Sequence, residues 1–145
     1  MDTAGSTSAA TKRISIDAPG YGHAAPIPAA SSIGPLIASS TIAPFDPGTR
    51  RIPDDLNAQV HNVFHRAGVL LNAAAASWDD VIMVNFVISG PVVREVIDRF
   101  WVDQFPDASA RPARQIVVGI LPDKLMVQCT VLAYRPQPAS SESRQ

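Results

Sequence analysis

Apolar residues in this chain recur with two different periods. Between Leu56 and Ala74 they fall at Leu56, Val60, Val63, Phe64, Ala67, Leu70, Leu71 and Ala74. Steps of three and four put them on one side of a helix. Pro53 and Asp54 suit the opening turn of that helix. From Val81 to Ile88 the period shortens to two, with Ile82, Val84, Phe86 and Ile88 apolar and Asn85 on the opposite face, which predicts a strand. Gly90-Pro91 opens a second helix whose stripe is Val92, Val93, Val96, Ile97, Phe100, Trp101 and Phe105, and Pro106 ends it. Arg114 to Leu121 and Leu125 to Tyr134 read as strands joined through the turn Pro122-Asp123-Lys124. Upstream, Arg13 to Asp17 and Leu36 to Ser40 read as short strands, separated by a Pro- and Ala-rich stretch reaching Ser32. Pro44 to Thr49 has the composition of a turn.

The last strand says most about surroundings. Leu125, Val127, Cys129, Val131 and Ala133 make a uniformly apolar face, and Met126, Gln128, Thr130, Leu132 and Tyr134 a mixed one. Two helices cover one face of a sheet, so the apolar face is expected to take them. The mixed face, with Asn85 placed near Gln128, suits a subunit interface with a wet pocket. A one-residue slip would exchange the faces. The element order gives an α+β architecture: a mixed β-sheet with two helices on one face.

Composition narrows the function. The 145 residues make one domain, expected over 12–135, with 1–11 and 136–145 read as disordered tails. Lys and Arg number 12 against 13 Asp and Glu, without the basic clustering that nucleic-acid binding requires, so no nucleic-acid partner is expected. No apolar run suits a membrane span and no signal peptide is evident, so a cytoplasmic protein without a membrane partner is expected. The single cysteine, Cys129, rules out an internal disulfide and a thiolate metal cluster. It reads as a small buried hydrophobe rather than a nucleophile. His61 and His65 share a helix side but lack the Glu of a zinc-protease motif, and read as surface or interface residues. Asp79-Asp80 reads as a turn element. No metal or cofactor is expected.

Several strings, in order, resemble the YjgF/RidA family across about Arg13 to Tyr134. They are Ser39-Ser40 at a strand end, Pro44 with Asp46-Pro47, Gln59, Ser77-Trp78-Asp79-Asp80-Val81, Arg111-Pro112-Ala113-Arg114, and Leu121-Pro122. The resemblance implies a single domain folded like chorismate mutase, a homotrimer, and a cleft between neighbouring subunits. It also implies hydrolysis of enamines and 2-imino acids, or action on related aminated intermediates. Arg114 matches the arginine that pairs with the substrate carboxylate, a task suited to a planar fork of donors. Ser39 and Ser40 match the family's hydroxyl pair, with Thr41 in place of the following Gly. Three positions depart: Ile27 stands for a tyrosine that packs on substrate, Gln128 for an acid that handles the attacking water, and Asp98 for an Asn.

The expected site is therefore Arg114, Ile27, Ser39, Ser40 and Asn85 for binding, with Gln128 as the catalytic position. The expected partner is a small carboxylate-bearing imine, enamine or related C–N compound. An amide orients water but takes no proton at neutral pH, so the proton would leave through the substrate nitrogen or another group. Two alternatives stand beside hydrolysis: a different reaction in the same cleft, and a non-catalytic protein that binds a small acid.

Overall fold

The computed structural model describes residues 12–136. The readings for residues 1–11 and 137–145 lie outside them. The strands are β1 (Ile14–Ile16), β2 (Ala30–Ile33), β3 (Leu36–Ser39), β4 (Val81–Ile88), β5 (Ala113–Val118) and β6 (Val127–Tyr134). The helices are α1 (Leu56–Ala73) and α2 (Val92–Gln104), with one 3-10 turn over Trp78–Asp80. The six strands form one sheet in the order β1-β2-β3-β6-β4-β5. β4 and β5, joined through α2, run parallel, and every other neighbouring pair is antiparallel. This is the mixed α+β sheet that the two hydrophobic periods predict.

Both helices bury their stripes on one face. Val84, Phe86, Ile88, Val127, Cys129, Val131 and Ala133 meet Val60, Val63, Ala67 and Leu71 of α1 and Val93, Val96, Ile97 and Trp101 of α2 in a single core. The expected apolar face of β6 is thus the core face, except that Leu125 precedes the strand and is half-buried. α1 begins two residues after Pro53-Asp54. Its cap is Asp55, whose carboxylate accepts the Ala58 N–H at 2.9 Å. Asp79-Asp80 is indeed a turn element, closed by a capping box with Ser77.

The structure differs from the sequence reading in several places. Ala30–Ile33 is a strand, hidden in the sequence by its small residues; Gly34, at φ 56°, turns it back onto β3. A β-bulge between Val81 and Met83 rotates the start of β4, so Val81 enters the core and Ile82 is 50% exposed. Val92 lies in the first turn of α2 beyond the reach of the sheet and is 62% exposed. β5 stops at Val118, and β6 starts at Val127.

The connection between β5 and β6 is held from α1. The fully buried Gln59 amide donates to Pro53 O at 2.9 Å and Lys124 O at 2.8 Å, and accepts the Met126 N–H at 2.8 Å. One side chain thereby satisfies three backbone groups, one of them buried and two partly buried.

The other sheet face carries no helix. Ala38, Met83, Asn85, Val87, Gln128, Thr130 and Leu132 share it, as the pairings Ala38↔Leu132, Asn85↔Thr130 and Val87↔Gln128 require. Ile33, Leu36, Val117 and Tyr134 lie on it about half exposed.

Candidate functional site

Arg114 sits in the second position of β5, an edge strand, opposite Val84. That register places it on the helix side of the sheet. The approach is fixed by Arg111, whose Nε donates to Phe105 O at 2.8 Å and ties the preceding loop to the end of α2. Two α2 side chains then hold the guanidinium. Asp98 Oδ1 lies 2.8 Å from Nη1, and the Trp101 ring centre lies 5.0 Å from Cζ. Trp101 is itself locked edge-on between Phe86 and Phe105. The Arg114 side chain is 22% exposed, and among the described residues Asp98 alone pairs with it as an ion. A guanidinium with one carboxylate oxygen on one nitrogen retains donors for a second acceptor.

The remaining predicted residues lie elsewhere. Gln128 is half-buried on β6 and faces the helix-free side. Asn85 is on the same side, directly opposite Thr130 and diagonal to Gln128. Among the described residues neither amide side chain has a hydrogen-bond partner, so both are available to a ligand or water. Ser39 and Ser40 close the end of β3. Ser39 Oγ accepts the Val131 N–H at 2.9 Å, and Ser40 Oγ donates to Pro28 O at 2.8 Å. These bonds fasten the loop carrying Ile27 to the β3–β6 region, and Ile27 is 46% exposed. Thr41 precedes Ile42, which bridges to Cys129 beside Gln128.

The predicted residues thus form two groups. Ile27, Ser39, Ser40, Asn85 and Gln128 belong to the β3, β6 and β4 strands and the loop before β2. Arg114 stands on the sheet face opposite Asn85 and Gln128, with β4 between its strand and β6. Asp98, noted in the sequence only as a departure, proves to be the ionic partner of Arg114. No spacing rule could have shown this, because the pair is brought together by the tertiary packing of α2 beside β5.

Cys129 is 3% exposed, and burial pushes its thiol up to about 12. It is a packing residue, as its strand face predicted. His61 and His65 are exposed and stack at 6.2 Å. They border an open groove of about 600 Å³ between α1 and α2, together with Phe100, Trp78 and Asp103. None of the predicted site residues lines this groove. Among the described residues no cluster of three or more metal-ligating side chains occurs, and no helix is long and apolar enough to cross a membrane.

A two-helix α+β domain with a helix-free sheet face and an arginine at the sheet edge defines the class. The chain belongs to the family described as endoribonuclease L-PSP, the YjgF/RidA family, whose model matches residues 22–135. Similar solved structures include the Rid-family protein YyfA of Yersinia pestis, at 20% identity and TM-score 0.78, covering 85% of this chain and 99% of that one. The YjgF gene product of E. coli aligns at 20% identity and TM-score 0.76, covering 85% and 99%. RidA of an Antarctic Psychrobacter aligns at 24% identity and TM-score 0.76, covering 83% and 98%. No curated protein matches the chain.

Proposed function

We propose that the protein hydrolyses a small carboxylate-bearing imine, enamine or related C–N intermediate, in a cleft completed by a second copy of the chain. The observation that carries this reading is Arg114: a partly covered guanidinium at a sheet edge, aimed by Asp98 and Trp101. A carboxylate on its remaining donors would fix the orientation of the adjoining C=N carbon.

Gln128 supplies the second element. Its amide orients a water but removes no proton. Water adds to the C=N carbon as a proton reaches the substrate nitrogen, and the carbinolamine then collapses to a ketone and ammonia. Gln128 and Arg114 face opposite sides of one sheet, so one chain does not bring them onto one small molecule. Cyclic association of copies, with the β5 edge of one against the β3–β6 region of the next, does. The apolar helix-free face, with Ile33, Leu36, Val117 and Tyr134, supports such an assembly. A homotrimer is the form that the family resemblance favours. Ile27, in place of a tyrosine, makes this cleft more apolar and suits a bulkier substrate.

The family's description as an endoribonuclease draws no support from this chain, whose net charge is −1 and whose Arg50-Arg51, Arg94 and Arg99 are scattered.

The test generates 2-imino acids in situ with an amino-acid oxidase and follows their decay with a semicarbazide trap. The parent should accelerate decay, and Arg114→Ala should lower kcat/KM by about 10- to 100-fold, the worth of a charge-assisted hydrogen bond. Equal rates for the two proteins would refute the assignment of Arg114. Activity in Gln128→Glu but not in the parent would move the function to another reaction in the same cleft.

A further inference from the structure

A second arginine sits in a setting that the proposed reaction does not use. Arg66 projects from the flank of α1 and is 7% exposed. Its Cζ lies 4.2 Å from the centre of the Tyr21 ring and 5.4 Å from that of Phe45. Phe45 also carries Arg50, 4.7 Å from its centre. Among the described residues no carboxylate pairs with Arg66. Asp46, next to Phe45, is engaged instead by Arg51 and by Asn62, whose Nδ2 donates to Oδ1 at 2.9 Å.

The only buried side-chain nitrogens without a hydrogen-bond partner, among the described residues, are Arg66 Nε, Arg66 Nη1 and His23 Nδ1. Arg66 and His23 line one cleft, with Tyr21, Thr41 and Ile42. The cleft leaves about 10 Å³ for the centre of a water-sized particle, which is room for one. His23 Nε2 lies 2.9 Å from Thr41 O and donates to it, so the neutral ring offers Nδ1 as an acceptor and the protonated ring offers it as a donor.

Burying a guanidinium without a counter-charge costs several kcal/mol. The aromatic faces offset part of this cost. Burial lowers the Arg66 pKa from its ordinary value, Tyr21 opposing the shift and Arg50 reinforcing it. Two adjacent N–H donors, a nearby second cation and space for one particle specify the missing group: it is anionic and small.

We infer that the cleft lined by Tyr21, His23 and Arg66 is a binding site for one small monatomic anion, held by Arg66 Nε and Nη1. The site is separate from the Arg114 region, lying against α1 and the loops that flank β2 and β3, whereas Arg114 lies on β5 at the far edge of the same sheet. Chloride is the natural probe. A bulky carboxylate such as gluconate does not fit the space.

The test has two arms on the full-length protein. Crystals grown or soaked in sodium bromide should show an anomalous peak in contact with Arg66 Nε and Nη1. In solution, sodium chloride at about ten times its Kd should raise the Tm by about 4 °C over sodium gluconate of equal ionic strength. Arg66→Met should abolish this chloride-specific rise, and Arg66→Lys should weaken it by removing the paired donors. A water bridging Arg66 to His23, with no bromide peak, would overturn the proposal. So would a carboxylate of a neighbouring copy seated on Arg66, or a Tm indifferent to the choice of anion. If Arg66→Met does not fold, the bromide map and the parent's anion dependence still decide.

Discussion

Arg114 is held by a partner that also opposes its proposed task. Asp98 aims the fork, but its charge lies beside the place a substrate carboxylate would take. Two like charges roughly 6 Å apart, at an effective dielectric constant of about 40, repel by on the order of 1 kcal/mol. Asp98→Asn keeps a hydrogen-bond acceptor and removes the charge. It should therefore tighten binding of a small carboxylate by on the order of fivefold, measured by calorimetry, and the gain should shrink as salt is added. At Cys129 the relevant effect is on stability. Its folded pKa of about 12 stands above the ordinary 9.0. The neutral thiol's contribution is thus fully present below pH 9 and is lost as pH rises toward 12. Relative to Cys129→Ala, the parent should lose about 1.4 kcal/mol of stability per pH unit above pH 9, read from urea unfolding across that range.

At the scale of elements, α1 does more than fill the core. Gln59, Asn62 and Arg66 recur at steps of three and four along its flank and are all buried. Gln59 fixes the β5–β6 connection, Asn62 fixes the loop before α1, and Arg66 faces the anion cleft. Gln59→Leu would leave Pro53 O, Lys124 O and Met126 N without their partner. It should cost about 3 kcal/mol, seen as a lower urea midpoint with unchanged slope at matched protein concentration. The same row marks the limit of what was legible in the sequence. Apolar periodicity located both helices, β4 and β6, because burial on one face imposes that periodicity. It could not locate β2, whose Ala30 and Ser32 are buried through their small size. It also missed the bulge at Ile82, where an apolar residue is retained while the backbone rotates it outward. The Arg111-Pro112-Ala113-Arg114 string pointed to the arginine, but not to its side of the sheet. That depends on the parallel register with β4, which no local pattern encodes. The flanking polar row of α1 was not read from the sequence, because its burial follows from loops folding over it.

At the scale of the molecule, the separation of Arg114 from Gln128 is the feature with most consequence. In the proposed function, the helix-free face bearing Gln128 and the edge strand bearing Arg114 are two halves of one site that a second copy completes. The measurement that tests this most directly mixes two variants, Arg114→Ala and Gln128→Ala, after co-refolding in equal amounts, and assays imine hydrolysis. Each variant alone should be nearly inactive. In random cyclic assemblies about one interface in four joins an intact Arg114 to an intact Gln128 of the next copy, so about a quarter of the parent activity should return. A mixture no more active than its components would contradict a shared site.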